Sequence, residues 1–227
     1  AQANEWENIT NSSKGQTVYF NAWGGSEAIN DYIRWAGKQV KKRYGLTIKH
    51  VKVTDVGDVI SRIIAEKAVN RNSAGSVDLI WINGENFRSL KDNHLLFGPF
   101  LQKLPNYQLV DFENKPTILS DFTTPVENME APWGMAQLIF MYDASQVTNY
   151  PKNMKDLLIF AKKHPGKITY PAPPSFYGTT FLKQVLLEMA EKKYPLYHPV
   201  KDANFEATTA PLWKFLDQLH PFMWRKG

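Results

Sequence analysis

The sequence predicts an α/β protein built on an open, doubly wound sheet, and three observations carry that expectation. Short runs rich in β-branched and aromatic residues alternate with longer segments whose apolar residues recur every 3.6 positions. The connections between them are short and stop at Gly, Asn or Ser. One run is apolar almost throughout, as a strand covered by helices on both faces must be.

Thr17-Val18-Tyr19-Phe20-Asn21-Ala22-Trp23 reads as the first strand, stopped at Gly24-Gly25. Ser26 is a good N-cap, because its hydroxyl can accept a free N–H of the first turn. From there Ile29, Ile33, Ala36, Val40 and Tyr44 make a helical stripe, with Tyr32 widening it, and Gly45 ends the helix. Residues 46–53 alternate apolar and polar with period two, which predicts a strand. Asp55 caps the next helix, whose apolar face is Val56, Val59, Ile60, Ile63, Ile64 and Ala68. After a loop at 72–75 comes Val77-Asp78-Leu79-Ile80-Trp81-Ile82, the nearly continuous apolar run, ended by Asn83-Gly84.

Pro and Gly punctuate a loop-rich stretch from about 95 to 125. Ala136 to Asp143 is then expected to be a strongly apolar strand, centred on Leu138–Tyr142. Met154–Lys163 reads as an amphipathic helix and Ile168–Tyr170 as a short strand. A helix follows Ser175-Phe176-Tyr177-Gly178-Thr179-Thr180, with Leu182, Val185, Leu186 and Met189 inward. A last helix is expected to begin near Pro211, a favoured first-turn residue, with Leu212, Phe215, Leu216 and Leu219 inward. The residues after Tyr142 thus offer three helices but one clear strand. Since an amphipathic face needs a sheet or a partner helix, the chain is expected to be incomplete at its C-terminal end.

Composition narrows function by exclusion. A chain of 227 residues that is 43% hydrophobic and 13% aromatic is too apolar for disorder and long enough for one large or two small cores. It has no Cys, which excludes disulfides, thiolate-ligated metal and a thiol nucleophile. No apolar run is long enough to span a bilayer as a helix, so a soluble, globular protein is expected. The net charge is +5. The basic cluster Lys38, Lys41, Lys42, Arg43, Lys49 and His50 falls largely at a helix C-terminus, where cations suit the helix dipole. No nucleic-acid partner is therefore expected. The start Ala1-Gln2-Ala3-Asn4 fits an exported protein after removal of a signal peptide, and fits an arbitrary boundary equally well.

Ligands of open α/β sheets bind beyond the carboxyl ends of the strands. Those positions are Trp23-Gly24-Gly25-Ser26, Val53-Thr54-Asp55 and Asn83-Gly84-Glu85-Asn86. The first offers backbone that a ligand can approach closely, then a hydroxyl and helix N-terminal amides suited to a polar or anionic group. A turn and cap with no ligand account for it equally well. Phe176-Tyr177-Gly178-Thr179-Thr180 is a second polar helix start, with Thr179 and Thr180 as caps. Trp133-Gly134-Met135 precedes the strand at 136–143, where a Trp can cover a ligand or simply pack. The five His are isolated, so no metal site is expected, and no GxSxG elbow or ordered Ser/His/Asp set points to a catalytic residue. Glu127 and Glu130 read as solvated loop carboxylates.

Residues 17–26, Val77 to Phe87 and Ala131-Pro132-Trp133-Gly134 together resemble bacterial extracellular solute-binding proteins of the type II periplasmic binding fold, in the YnjB-like branch related to thiamine- and iron-binding members. The resemblance covers the whole chain. It implies two α/β lobes, each a doubly wound mixed sheet flanked by helices, divided as 1–135, a hinge or crossover strand at 136–143, and part of a second lobe at 144–227. It also implies a monomeric periplasmic receptor, exported with its signal peptide cleaved, that captures a small solute between the lobes. The receptor would hand that solute to the permease subunits of an ABC importer, without catalysis, cofactor or metal. Carried over by position, the ligand contacts are Trp23, Gly25, Ser26, Asn83, Gly84, Glu85, Trp133, Tyr177, Gly178, Thr179 and Thr180. A polar or anionic solute is expected, with a thiamine-like or phosphorylated compound fitting both the amides and the aromatic rings. An enzyme or a ligand-sensing module on the same fold is the alternative.

Overall fold

The first strand, β1 (Thr17–Trp23), is the centre of the sheet. In the computed structural model, which describes residues 2–135, 138–173, 175–198, 200 and 204–227, β1 pairs in parallel on one side with β2 (Thr47–Val53), from Thr17↔Thr47 to Trp23↔Val53. On its other side it pairs in parallel with β3 (Leu79–Ile80), at Phe20↔Leu79 and Asn21↔Ile80. The crossover helices are α2 (Glu27–Tyr44) and α3 (Val56–Ala68); α1 (Gln2–Ser12) precedes the sheet. Alternation along β1 assigns one face to each crossover helix. Phe20 and Ala22 are buried against Ile33 of α2, with Ile29 and Ile48 packed alongside. Asn21, on the opposite face and fully buried, accepts a hydrogen bond at 2.7 Å from Arg62 of α3.

Caps placed from the sequence are present. The Ser26 hydroxyl accepts from Ile29 N–H, Asp55 Oδ1 accepts from Gly57 N–H, and Gly45 takes the left-handed conformation that ends α2. Tyr32 does not widen the buried stripe of α2; it is 54% exposed. The expected strand at 77–82 shortens to two residues because a side chain takes part of the ladder. Asp78 Oδ2, not a backbone carbonyl, accepts the Tyr19 N–H at 2.8 Å. Trp81 N–H still donates to Asn21 C=O at 2.9 Å, so the chain runs alongside β1 beyond the regular pairing.

After β3 the chain enters α4 (Gly84–Asp92), three 3-10 turns between Leu101 and Leu119, and an antiparallel pair, β4 (Ser120–Asp121) with β5 (Thr124–Pro125). Phe87 and Leu90 of α4 are completely buried. The chain divides into two compact units, Ala1–Trp133 and Gly134–Gly227.

The second unit departs from expectation. Residues 136 and 137 lie outside the described residues. From 138 to 143 the chain forms no strand, and Ile139, Phe140 and Met141 are exposed. Ile168–Tyr170 forms none either. An apolar run becomes a strand only when a neighbour answers its N–H and C=O groups along its length; among the described residues Ile168 C=O accepts from Trp224 N–H at 2.9 Å, but no regular ladder forms. The expected mixed sheet is therefore absent from the described part of this unit, while the sheet of the first unit is wholly parallel, with the hairpin separate. Three helices carry the second unit: α5 (Met154–Lys163), α6 (Phe176–Met189) and α7 (Phe205–Leu219). Their apolar faces bury one another, in a core that includes Met154, Ala161, Phe181, Val185, Phe215 and Leu219. Among the described residues these helices pack on one another and not on a sheet, while Ile159 and Trp213 stay exposed.

Helix α7 begins six residues before Pro211. Asn204 caps it by accepting from Ala207 N–H at 3.1 Å, and Pro211 lies inside the helix. A proline there leaves one carbonyl without its helical donor. The helix holds because Leu212, Phe215, Leu216 and Leu219 are all buried. Leu219→Ala is expected to lower unfolding free energy by about 2–5 kcal/mol, read from urea denaturation. A loss below about 1 kcal/mol would mean that the α5–α6–α7 core does not rest on this residue.

Candidate functional site

The carboxyl ends of β1 and β3 bring most of the first-unit candidates together. Trp23 closes β1, and its indole lies on Gly25: a Cβ at Gly25 would stand 2.3 Å from the ring. A Cβ at Gly24 would stand 2.7 Å from the Lys52 side chain. The space beside both glycines is thus occupied by side chains of this chain, Lys52 and Trp23. Ser26 then opens α2 with its Oγ 3.5 Å from Ile29 N, a long cap bond. Behind it Asn30 is buried. Its amide nitrogen donates to Gly24 C=O at 3.0 Å and to Glu27 at 3.3 Å, while its Oδ1 has no hydrogen-bond partner among the described residues.

Aromatic rings line this end of the unit. Trp81 stands 6.4 Å from Trp23 and 5.3 Å from Trp133, centroid to centroid, and Trp133 stands 5.7 Å from Tyr32 and 6.4 Å from Phe20. Trp23 and Trp133 are 40% and 48% exposed. The result is a contiguous, half-exposed aromatic wall. Trp23 and Trp133 are site candidates on the sequence alone; Trp81 and Tyr32 join the site only in the structure. For Trp81 a signal was present, since it is the second-last residue of the apolar run aimed at the carboxyl edge.

The turn after β3 is braced from below. Gly84 is buried with φ +57°, a conformation that favours glycine, and its N–H donates to Asp121 Oδ2 at 2.7 Å. Asn83 and Glu85 on either side are exposed, and the Asn83 side chain makes no cap bond to α4. Glu130 is not the solvated carboxylate expected from the sequence. Burial, the neighbouring charge of Asp121 and a hydrogen bond to it push its carboxyl up from the usual 4.5 to about 7. Glu127 is exposed and pairs with Lys91 at 3.0 Å.

The remaining candidates belong to the second unit. Helix α6 starts at Phe176, earlier than expected, so Thr179 and Thr180 are not caps. Thr179 N–H bonds Ser175 C=O at 2.9 Å and the Thr180 hydroxyl donates to Phe176 C=O at 2.7 Å. The N–H groups left free by the helical pattern are those of Phe176, Tyr177 and Gly178. Tyr177 is 64% exposed. Gly178 is buried, and a Cβ on it would meet the Pro171 carbonyl oxygen at 1.9 Å; here packing alone demands glycine.

Among the described residues no three His, Asp or Glu side chains gather as a metal site, and no helix is long and apolar enough to cross a membrane. Residues 35–222 match the family model of bacterial extracellular solute-binding proteins, and the chain belongs to that family. Protein YnjB of Escherichia coli (strain K12) is a relative, 44% identical over 225 residues; these make up 99% of this chain and 58% of the relative, so the chain spans little more than half of its length. No solved structure gives a significant match.

Two expectations follow. Between pH 4.5 and 7 the folded state keeps a proton on Glu130 that the unfolded chain releases. Stability therefore falls as pH rises through that window, by on the order of 1 kcal/mol once solvent screening is allowed for. In Glu130→Gln the fall should vanish from denaturation curves taken across the window; an unchanged pH profile would detach the effect from this carboxyl. Gly178→Ala should destabilise by about 1–3 kcal/mol through overpacking, visible as a lowered melting temperature.

Proposed function

We propose that this chain is the solute-capturing part of an ABC-type importer, acting in the periplasm and passing a small solute to membrane permease subunits. Family membership supports the class of protein. What carries the reading of the site is the aromatic wall of Trp23, Trp81 and Trp133 beside the N-terminus of the 18-residue helix α2. A helix N-terminus presents unpaired N–H groups and positive potential to an anionic or strongly polar group. The rings give a flat conjugated group a face to stack on. A ring-bearing solute with an anionic substituent, thiamine-like or phosphorylated, uses both.

In this reading Trp23, Gly25, Ser26, Asn83, Gly84, Glu85 and Trp133 form the first-unit contacts, with Gly25 and Gly84 acting through backbone shape. Tyr177 and Gly178 offer free N–H groups at a separate helix N-terminus, while Thr179 N–H is bonded to Ser175 C=O and the Thr180 hydroxyl donates to Phe176 C=O. The proposed role is binding without chemistry. Asp121 and Glu130 are the nearest thing to a catalytic carboxyl pair, and Asp121 is committed to the Gly84 N–H.

The test is a screen of ring-bearing phosphorylated and cationic solutes by thermal shift and intrinsic tryptophan fluorescence. Binding should raise the melting temperature and quench emission. Trp133→Ala should weaken affinity tenfold or more, and Ser26→Ala should cost on the order of 1 kcal/mol, about fivefold. Solutes that bind with unaltered affinity in both variants would move the site elsewhere, and a screen without any shift would remove the solute class.

A further inference from the structure

On the face of the sheet covered by α2, that helix and β2 enclose a groove of about 560 Å³. Arg34, Lys38, Lys41 and Lys42 of α2 and Lys52 of β2 line it, and no carboxylate does. Lys41 is occupied, its Nζ 3.0 Å from Thr47 Oγ1, and Arg34 pairs with Asp31 on the solvent side. Lys38, Lys42 and Lys52 have no ion partner among the described residues and are exposed. The usual account of such cations, the dipole at a helix C-terminus, covers Lys41 and Lys42 in the last turn. It does not cover Arg34, Lys38 or Lys52.

A second observation is independent of charge. Gly37 lies in the interior of α2 and lines the same groove. A glycine there costs the helix about 1 kcal/mol relative to alanine. The fold does not demand it, because a Cβ would sit 3.7 Å from Ile48 Cβ, an ordinary contact, and φ is not positive. What the missing side chain preserves is the depth of the groove.

The third is topological. In the order β2-β1-β3, β2 is an outer strand that pairs with β1 alone. A chain added along its free edge would run beneath the exposed side of α2, with alternate side chains rising into the groove. Same-face residues of an extended strand recur about every 6.8 Å. Arg34, Lys38 and Lys42, four residues apart, recur about every 6 Å along the helix axis. The two spacings match closely enough for successive acidic side chains to meet successive cations.

We infer that this groove and the free edge of β2 form a docking site for an extended acidic segment of a partner protein, which adds as a strand to β2 while its alternate carboxylates engage Lys38 and Lys42. Backbone pairing supplies affinity and the cations supply register and orientation. A flat anionic surface fits less well, since the cations ring a concavity rather than a plane. The groove reaches Asn30, next to the proposed solute contacts, but its cations are not among those contacts, and the inference stands whether or not they hold.

The experiment uses a fluorescently labelled heptapeptide alternating glutamate and valine, followed by anisotropy at two salt concentrations. Its comparators are the same peptide N-methylated at alternate amides, one with a central proline, inorganic polyphosphate, and vesicles containing an anionic phospholipid. The unmodified peptide is expected to bind, more weakly at high salt. N-methylation, the central proline, Gly37→Leu and the double variant Lys38→Glu/Lys42→Glu should each weaken binding at least tenfold. Circular dichroism and melting temperature report folding; should Gly37→Leu not fold, the surface double variant carries the test. Absence of peptide binding overturns the inference. So does equal binding of the proline peptide, or tighter binding of polyphosphate or vesicles, because either would reduce the groove to a patch of unspecific charge.

Discussion

The Asp121 carboxylate is the point on which the candidate site turns. It accepts the Gly84 N–H at 2.7 Å and faces Glu130, whose carboxyl it helps to keep protonated up to about pH 7. One side chain thereby ties together the turn after β3, the β4–β5 hairpin and the segment that runs into Trp133. Trp81 precedes Gly84 by three residues and Trp133 follows Glu130 by three, and their rings meet at 5.3 Å. A half-exposed aromatic wall survives in water only if something besides ring contact holds its members in place. A charge-assisted hydrogen bond to a buried turn does so more firmly than ring contact alone.

The two units reach stability by different routes. In the first, a narrow parallel sheet separates α2 from α3, and buried polar groups such as Asn21 and Asn30 are held by specific hydrogen bonds. In the second, three helices share one apolar core, with no strand among the described residues. The first arrangement leaves loops at the strand ends free to vary around a rigid frame, which is where binding residues are most often found. The second leaves helix surfaces, and its proposed contacts accordingly sit on the first turn of α6.

Where local chemistry decided the outcome, the sequence was readable. Ser26, Asp55 and Gly45 cap their helices as their side chains and backbone freedom require, and the stripes of α6 and α7 face inward; on α3 Val59 and Ile60 are buried, while Ile64 and Ala68 at the far end of its stripe are exposed. Where a distant partner decided, it was not. Leu138–Tyr142 has the composition of a strand and pairs with no strand among the described residues. The run at 77–82 lost most of its ladder to the Asp78 side chain, a contact made across 59 positions. Pro211 looked like the start of a helix because its own preference is local, whereas the helix begins at Phe205 with Asn204 as its cap and Thr209 buried before the proline. At the site, Trp23 and Trp133 were legible as aromatics beside glycines. Glu130 was not, because its protonation depends on a hairpin that no spacing rule announces.

The placement of β1 between two strands that follow it in the chain has a consequence for how the first unit comes together. β2 lies one helix away in sequence, but β3 becomes available only after α3 and the loop that follows it. Contacts between distant segments form late, because the chain between them must first give up its freedom. The β1–α2–β2 half therefore assembles first and carries an open flank, until Leu79 and Ile80 arrive to close it.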